Sequence, residues 1–332
     1  MKFVAALLLS SAAFAANAFA AAPDVVVSIK PIHSLVASIM KGVGEPKLIV
    51  GGAASPHTFT MKPSNARALE SADMVVWVGP GMEAFLKKPL EALASSAKVL
   101  TLEDATGLEK LPFREGGPFE AHDHGGEHHD GEGHADHDHG AETAHESHGG
   151  HGHEEHEHGA VDTHLWLDPK NAKVFAAAIE KALVEADPDN AATYRANGAE
   201  LVQNIDRMDA EIRDTLAPVR NKPFVVFHDA YQYFEKRYGM SVAGSITVSP
   251  ETMPGAERVK QIHQKVTELG ATCVFAEPQF EPKLVAVVTE GTAAKSATLD
   301  PEAATLDEGP ELYFELMKGL ATSMKTCLSQ EG

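Results

Sequence analysis

Asp187–Leu216, DPDNAATYRANGAELVQNIDRMDAEIRDTL, is the stretch on which the fold turns. Asp187-Pro188-Asp189-Asn190 makes a turn and opens a helix, since proline suits a first helical position and acids favour the first turn. From there to Leu216 only Gly198 interrupts the helical pattern. Leu201, Ile205, Met208, Ile212 and Leu216 recur at i, i+4, i+7, i+11 and i+15, which is one continuous apolar face. About 29 residues at 1.5 Å each make a rod of roughly 43 Å. That is long enough to run the length of a two-domain molecule.

On both sides of this rod strands and helices alternate. Before it, Val25–Ile29 is a β-branched run followed by Pro31 and an amphipathic stretch to Met40. Lys47–Val50 is a short strand, Asn65–Ser71 a helix, Met74–Val78 a buried strand, Glu83–Ala94 a helix and Val99–Leu102 a strand. Pro169 opens a further helix to about Ala186. After the rod, Phe224–Phe227 is a strand, and Asp229 can cap a helix through Tyr238. Val242–Ile246 is a strand, Pro254–Leu269 a helix ending at Gly270, and Thr272–Ala276 a strand. Pro282–Ala294 is a helix, Ala297–Leu299 a last strand and Pro310–Cys327 a final helix. This is the rhythm of a parallel sheet. The chain therefore reads as α/β, with two lobes, each a parallel-type sheet flanked by helices, joined by one long helix at 188–218. The lobes are expected at 21–187 and 219–332, with a cleft between them.

One insertion breaks the pattern. Phe119–Gly159 holds 13 of the chain's 18 histidines, 12 acids, nine glycines and no lysine or arginine. The histidines are His122, His124, His128, His129, His134, His137, His139, His145, His148, His151, His153, His156 and His158. Imidazole and carboxylate are ligands for borderline divalent metals. Phe119 and four alanines are the only apolar residues, too few to offset the entropy of ordering. The tract reads as a disordered, accessory metal-attracting loop.

The first 20 residues read as a secretory signal: Lys2, an apolar run Phe3–Leu9, and the small-x-small site Ala18-Phe19-Ala20. Ser10, Ser11 and Asn17 interrupt the run too early for a bilayer span of about 20 apolar residues. The mature protein is expected to be soluble and exported. The tract carries −12 of the net charge of −20, leaving 28 basic and 36 acidic residues elsewhere. With no basic run, nucleic-acid binding is not expected. Cys273 and Cys327 are the only cysteines. An even pair in an exported chain reads as a disulfide, worth roughly 4 kcal/mol across a loop of this length.

Five histidines lie outside the tract. His57 falls in the loop Gly51–Met61 after a strand, His164 where structure resumes after the tract, and His228 at the end of Phe224–Phe227. Ligands of open α/β sheets bind beyond the carboxyl ends of strands, so His57 and His228 are placed to face each other across one cleft. From spacing alone the metal signal is weak, and a local hydrogen bond is the competing role for each. His33, in a first helical turn, and His263, on a charged face, read as structural.

Five segments add a resemblance. DMVVWVGPGMEAF (Asp73–Phe85), THLWLDP (Thr163–Pro169), FVVFHDAYQYFE (Phe224–Glu235), TCVFAEPQF (Thr272–Phe280) and TLDP (Thr298–Pro301) closely resemble the zinc-binding proteins of bacterial high-affinity zinc importers. These belong to the metal-binding cluster of periplasmic solute-binding proteins for ABC transporters. The likeness covers essentially the whole mature chain, His/acid-rich insertion included. It implies three histidine ligands between two lobes, falling on His57, His164 and His228. Some relatives place an acid just before the first histidine, where this chain has Pro56; others use an aspartate that matches Asp300. The expected fourth donor is therefore Asp300 or a water, with Glu277 a less favoured alternative that reads better as a strand-end hydrogen-bonding residue. Asp229 is expected to cap its helix or to orient an imidazole. Manganese-carrying relatives place a carboxylate where His228 stands, and imidazole shifts preference toward zinc.

The resemblance implies capture of Zn²⁺, the transported ligand, and delivery by a monomer to an inner-membrane ABC permease. An enzyme is the first rival, since three histidines and an open position also suit a zinc hydrolase. No HExxH pair and no GxSxG elbow occurs, and catalysis is not expected. A zinc buffer or store without a transport partner, or a carrier of manganese or nickel, are the remaining alternatives.

Overall fold

The computed structural model describes residues 22–114, 119, 161–247, 253–270, 273–280 and 283–329. The expected signal and all of the His/acid tract except Phe119 lie outside the described residues.

The first lobe runs β1 (Val25–Ile29), α1 (Lys30–Met40), β2 (Lys47–Val50), α2 (Pro63–Glu70), β3 (Met74–Trp77), α3 (Lys87–Leu93), β4 (Lys98–Thr101). All its strand pairs are parallel, in the order β2-β1-β3-β4. Every residue of β1 and of β3 is buried, as expected where helices cover both faces of a parallel sheet. Then come α4 (Pro169–Ala186) and α5 (Ala191–Leu216). Pro169 sits in the first turn of α4, and the Asp168 carboxylate caps it by accepting from Lys170 N. The 26-residue α5 has a 3₁₀ turn at each end, Pro188–Asn190 and Ala217–Val219, so the helical path spans nearly the expected length. Its five expected apolar residues are all buried.

The second lobe repeats the plan with β5 (Pro223–His228), α6 (Gln232–Tyr238), β6 (Ser241–Thr247), α7 (Ala256–Leu269), β7 (Cys273–Ala276), α8 (Lys283–Thr289), β8 (Lys295–Thr298) and α9 (Leu312–Ser329). Its parallel sheet has the order β6-β5-β7-β8, the same order as the first. Alternation along the strands divides the core in two. Phe224, Val226, Cys273 and Phe275 join the large cluster that also holds the first lobe and α5, whereas Val225, Phe227 and Val274 pack with Ile262 and Val266 of α7 and Val285 and Val288 of α8. The last helix, α9, packs back on α1 and α5, so apolar contact is continuous from lobe to lobe. Cys273 and Cys327 form a disulfide that ties β7 to α9. Among the described residues no helix is long and apolar enough to cross a membrane.

Three local expectations need correction. The helix expected over Glu83–Ala94 is a 3₁₀ turn, Ala84–Leu86, followed by α3. Glu83 itself stays outside, because its carboxylate turns back to accept from Val78 N and Gly79 N. The helix expected over Pro282–Ala294 stops at Thr289, and Gly291 follows with φ 70°, a left-handed conformation that ends helices. Asp229 does not cap α6, which starts from Tyr231 without a side-chain cap. The Asp229 carboxylate is taken by the Arg114 guanidinium, which also pairs with Glu235 and lies over the Phe119 ring.

Candidate metal centre

Each sheet changes direction between its first and third strands, and side chains at the carboxyl ends there point into a crevice. His228 is the last residue of β5, at that point of the second sheet. Glu277 directly follows β7, the neighbouring strand. His57 comes from the loop after β2 of the first lobe, and His164 from the segment that precedes α4. One ligand nitrogen from each of His57, His164 and His228 lies within 4.8 Å of the other two. This is the one group of three or more candidate ligands found among the described residues. The rings stand 5.2–5.8 Å apart, centre to centre. His164 and His228 are buried, and the His57 side chain is 12% exposed.

Hydrogen bonds to carboxylates fix the rings of His164 and His228. His164 Nδ1 meets Asp162 Oδ1 at 2.8 Å, and the same oxygen accepts from His164 N. Gln232 Nε2 donates to the other oxygen of Asp162 at 3.1 Å. His228 Nδ1 meets both oxygens of Glu277, at 2.8 and 2.7 Å, and Tyr231 Oη donates to Oε1 of that carboxylate at 3.1 Å. A carboxylate can only accept, so each Nδ1 carries the proton and each Nε2 is left with a lone pair. Those two Nε2 atoms face each other at 3.3 Å. Lone pairs aimed at one another repel unless a proton or a cation lies between them. A carboxylate on the far nitrogen is the usual support of a metal-bound histidine.

The electrostatics favour a cation. Burial holds the His57 pKa well below its usual value, and the neighbouring His164 and His228 lower it further. Burial also pulls His228 down, but the charge and hydrogen bond of Glu277 outweigh it, and the net shift is upward. Burial raises Glu302 to about 8, with the Glu277 charge adding to the rise. Glu302 Oε1 faces His57 Nε2 at 3.4 Å. Asp162, Glu277 and Glu302, all buried, thus ring three imidazoles.

Asp300 is not part of the group. Its Oδ1 accepts from Ala304 N at 2.8 Å, and its Oδ2 accepts from Thr305 N and Thr305 Oγ1, both at 2.9 Å. The carboxylate closes its own loop, so the expectation that it ligates is not supported by its placement. Glu277 has the hydrogen-bonding role expected of it. His33 Nε2 meets Pro46 O and His263 Nδ1 meets Val288 O, both at 3.0 Å, local bonds away from the cluster. The tract histidines lie outside the described residues. Sequence reading missed Asp162 and Glu302. For Asp162 the signal was an acid two residues before a candidate histidine; Glu302 had none beyond lying next to the TLDP segment.

Two sheets meeting over a buried cluster of imidazoles define the two-lobed α/β binding proteins that hold a metal ion between their lobes. The chain belongs to the ZnuA family, described as "Zinc-uptake complex component A periplasmic", whose sequence pattern it matches over residues 25–327. It is 55% identical over 334 residues to the high-affinity zinc uptake system protein ZnuA of Brucella suis, covering 99% of this chain and all of the relative. A ZnuA crystal structure superposes with a TM-score of 0.71 at 26% identity, over 92% of this chain and 99% of that one. The periplasmic zinc binding protein TroA of Treponema pallidum shares the fold, with a TM-score of 0.73 at 20% identity over 93% and 100% of the two chains.

Proposed function

We propose that this protein binds Zn²⁺ between its lobes, through Nε2 of His164 and His228 and a nitrogen of His57, and carries it across the periplasm to an ABC permease of the inner membrane. It is exported behind residues 1–20 and works as a monomer, with lobes at 21–187 and 219–332 around the linking helix at 188–218. The observation that carries this reading is the convergence of three imidazoles from two lobes, two of them held by carboxylates with their lone pairs inward. Zinc takes such nitrogen donors in tetrahedral geometry at about 2.0–2.1 Å. Membership of a non-enzymatic transport family supports carriage over hydrolysis. The tract 119–159 is an accessory collector that holds further zinc more weakly, since its ligands lose conformational entropy on binding.

Zinc titration against a competing chelator tests the reading. Deleting Phe119–Gly159 is expected to leave one tight site. Replacing His57, His164 and His228 by alanine in the full chain is expected to remove it. Loss of tight binding on deletion of the tract alone would point instead to a buffer whose capacity lies in the tract.

A further inference from the structure

Three nitrogens leave one vertex of a tetrahedral zinc complex to fill. Asp300 is spent on its own loop and Pro56 has no donor side chain. Glu302 remains. Two donors about 2.05 Å from one zinc ion and tetrahedrally disposed are roughly 3.3–3.4 Å apart. The His164–His228 Nε2 pair is separated by 3.3 Å, and His57 Nε2 and Glu302 Oε1 by 3.4 Å. Each separation matches one edge length of such a tetrahedron. The second is also longer than an ordinary N–H···O hydrogen bond. Glu302 Oε1 is buried and lacks a well-formed hydrogen bond within the protein, while Oε2 accepts from Gln279 Nε2 at 3.2 Å. A carboxylate held in that way has one oxygen engaged and one to give.

The loop that carries Glu302 is fixed from the other lobe. Lys30 Nζ, at the start of α1, donates to the carbonyls of Ala303, Ala304 and Leu306 at 3.0, 3.2 and 2.7 Å. Trp166 Nε1, two residues after His164, donates to Pro301 O at 3.0 Å. Ala303 sits at φ 58°, a conformation that costs a non-glycine residue energy and persists only where the surroundings impose it. Asp300 closes the same turn from within. The aspartate of the TLDP segment therefore builds the loop, and the glutamate two residues on faces His57 Nε2.

We infer that Glu302 supplies the fourth donor to the zinc ion, replacing both the acid that Pro56 displaces and the aspartate at Asp300. The inference rests on the three-histidine site proposed above. Each lobe then gives two donors: His57 and His164 from the first, His228 and Glu302 from the second.

The test uses full-length protein with one equivalent of Co²⁺, so that only the tightest site fills, and reads the ligand-field spectrum together with zinc affinity by chelator competition. Glu302→Gln and Glu302→Ala are expected to change the spectrum and to weaken zinc binding at least tenfold. Thermal melting of the metal-free variants shows that the fold is kept. Unchanged spectrum and affinity in both Glu302 variants overturns the assignment. His228→Ala separates this from the reading beneath it: if that variant keeps the tight site, the three-histidine centre itself is wrong.

Discussion

The two lobes share one sheet order and differ in what stands at the carboxyl ends of the central strands. In the first, Glu83 turns back onto its own backbone and accepts from Ser28 Oγ, Val78 N and Gly79 N at 2.5, 3.1 and 2.9 Å. In the second, the corresponding crevice holds His228 and Glu277, and the carboxylate spends itself on Nδ1 so that Nε2 faces His164 within the cluster. One buried acid closes a crevice, and the other arms it. The topology makes the crevice, and residue type decides whether it is a plug or a ligand.

The largest expected effect comes from breaking the armed side. His228→Ala should abolish stoichiometric tight zinc binding, measured by competition with a chelator, and leave the first lobe's sheet untouched. Next in size is the staple that only the second lobe carries. Replacing Cys273 and Cys327 by alanine should lower the unfolding free energy by about 4 kcal/mol in denaturant titration, with zinc still bound by the protein that remains folded.

The plug should announce itself through pH. Burial raises Glu83 from its usual 4.5 to about 7. The folded state therefore holds this proton more tightly than the unfolded one, and the contribution is fully present below pH 4.5 and lost as pH rises through about 7. That swing is on the order of 3 kcal/mol at most, and Glu83→Gln should flatten it in melts run across this range while leaving zinc affinity unchanged. Smallest is the orienting carboxylate. Glu277→Gln should weaken zinc about 10- to 100-fold, the usual cost of removing a ligand's hydrogen-bond partner. Equal losses from Glu83→Gln and Glu277→Gln would erase the distinction between the lobes.

Much of this was legible in the sequence. The apolar stripe from Leu201 to Leu216 marked the long helix, because burial along one face leaves a period that survives in the letters. The β-branched runs marked the central strands for the same reason. His57 and His228 were found from their positions after strands, His164 from its place where the tract ends, and all three from the resemblance of their segments; the structure brings them together. What was not legible depends on side chains reaching across the chain. Arg114 takes Asp229 and Glu235 from more than a hundred residues away, and so leaves α6 without the expected cap. Asp300 reads as a ligand by motif, yet its carboxylate is within reach of Ala304 N and Thr305 N, and a local turn claims it first. Glu302 carries no pattern, and only the fold sets it beside His57.

The central claim is that the bound ion sits between the lobes and not in the tract. Crystals of the zinc-loaded full chain, measured at the zinc absorption edge, test it directly. The account predicts that the strongest anomalous peak lies about 2.0–2.1 Å from Nε2 of both His164 and His228 and from a nitrogen of His57. A strongest peak bound only by histidines of 119–159, with those three imidazoles bare, would contradict it.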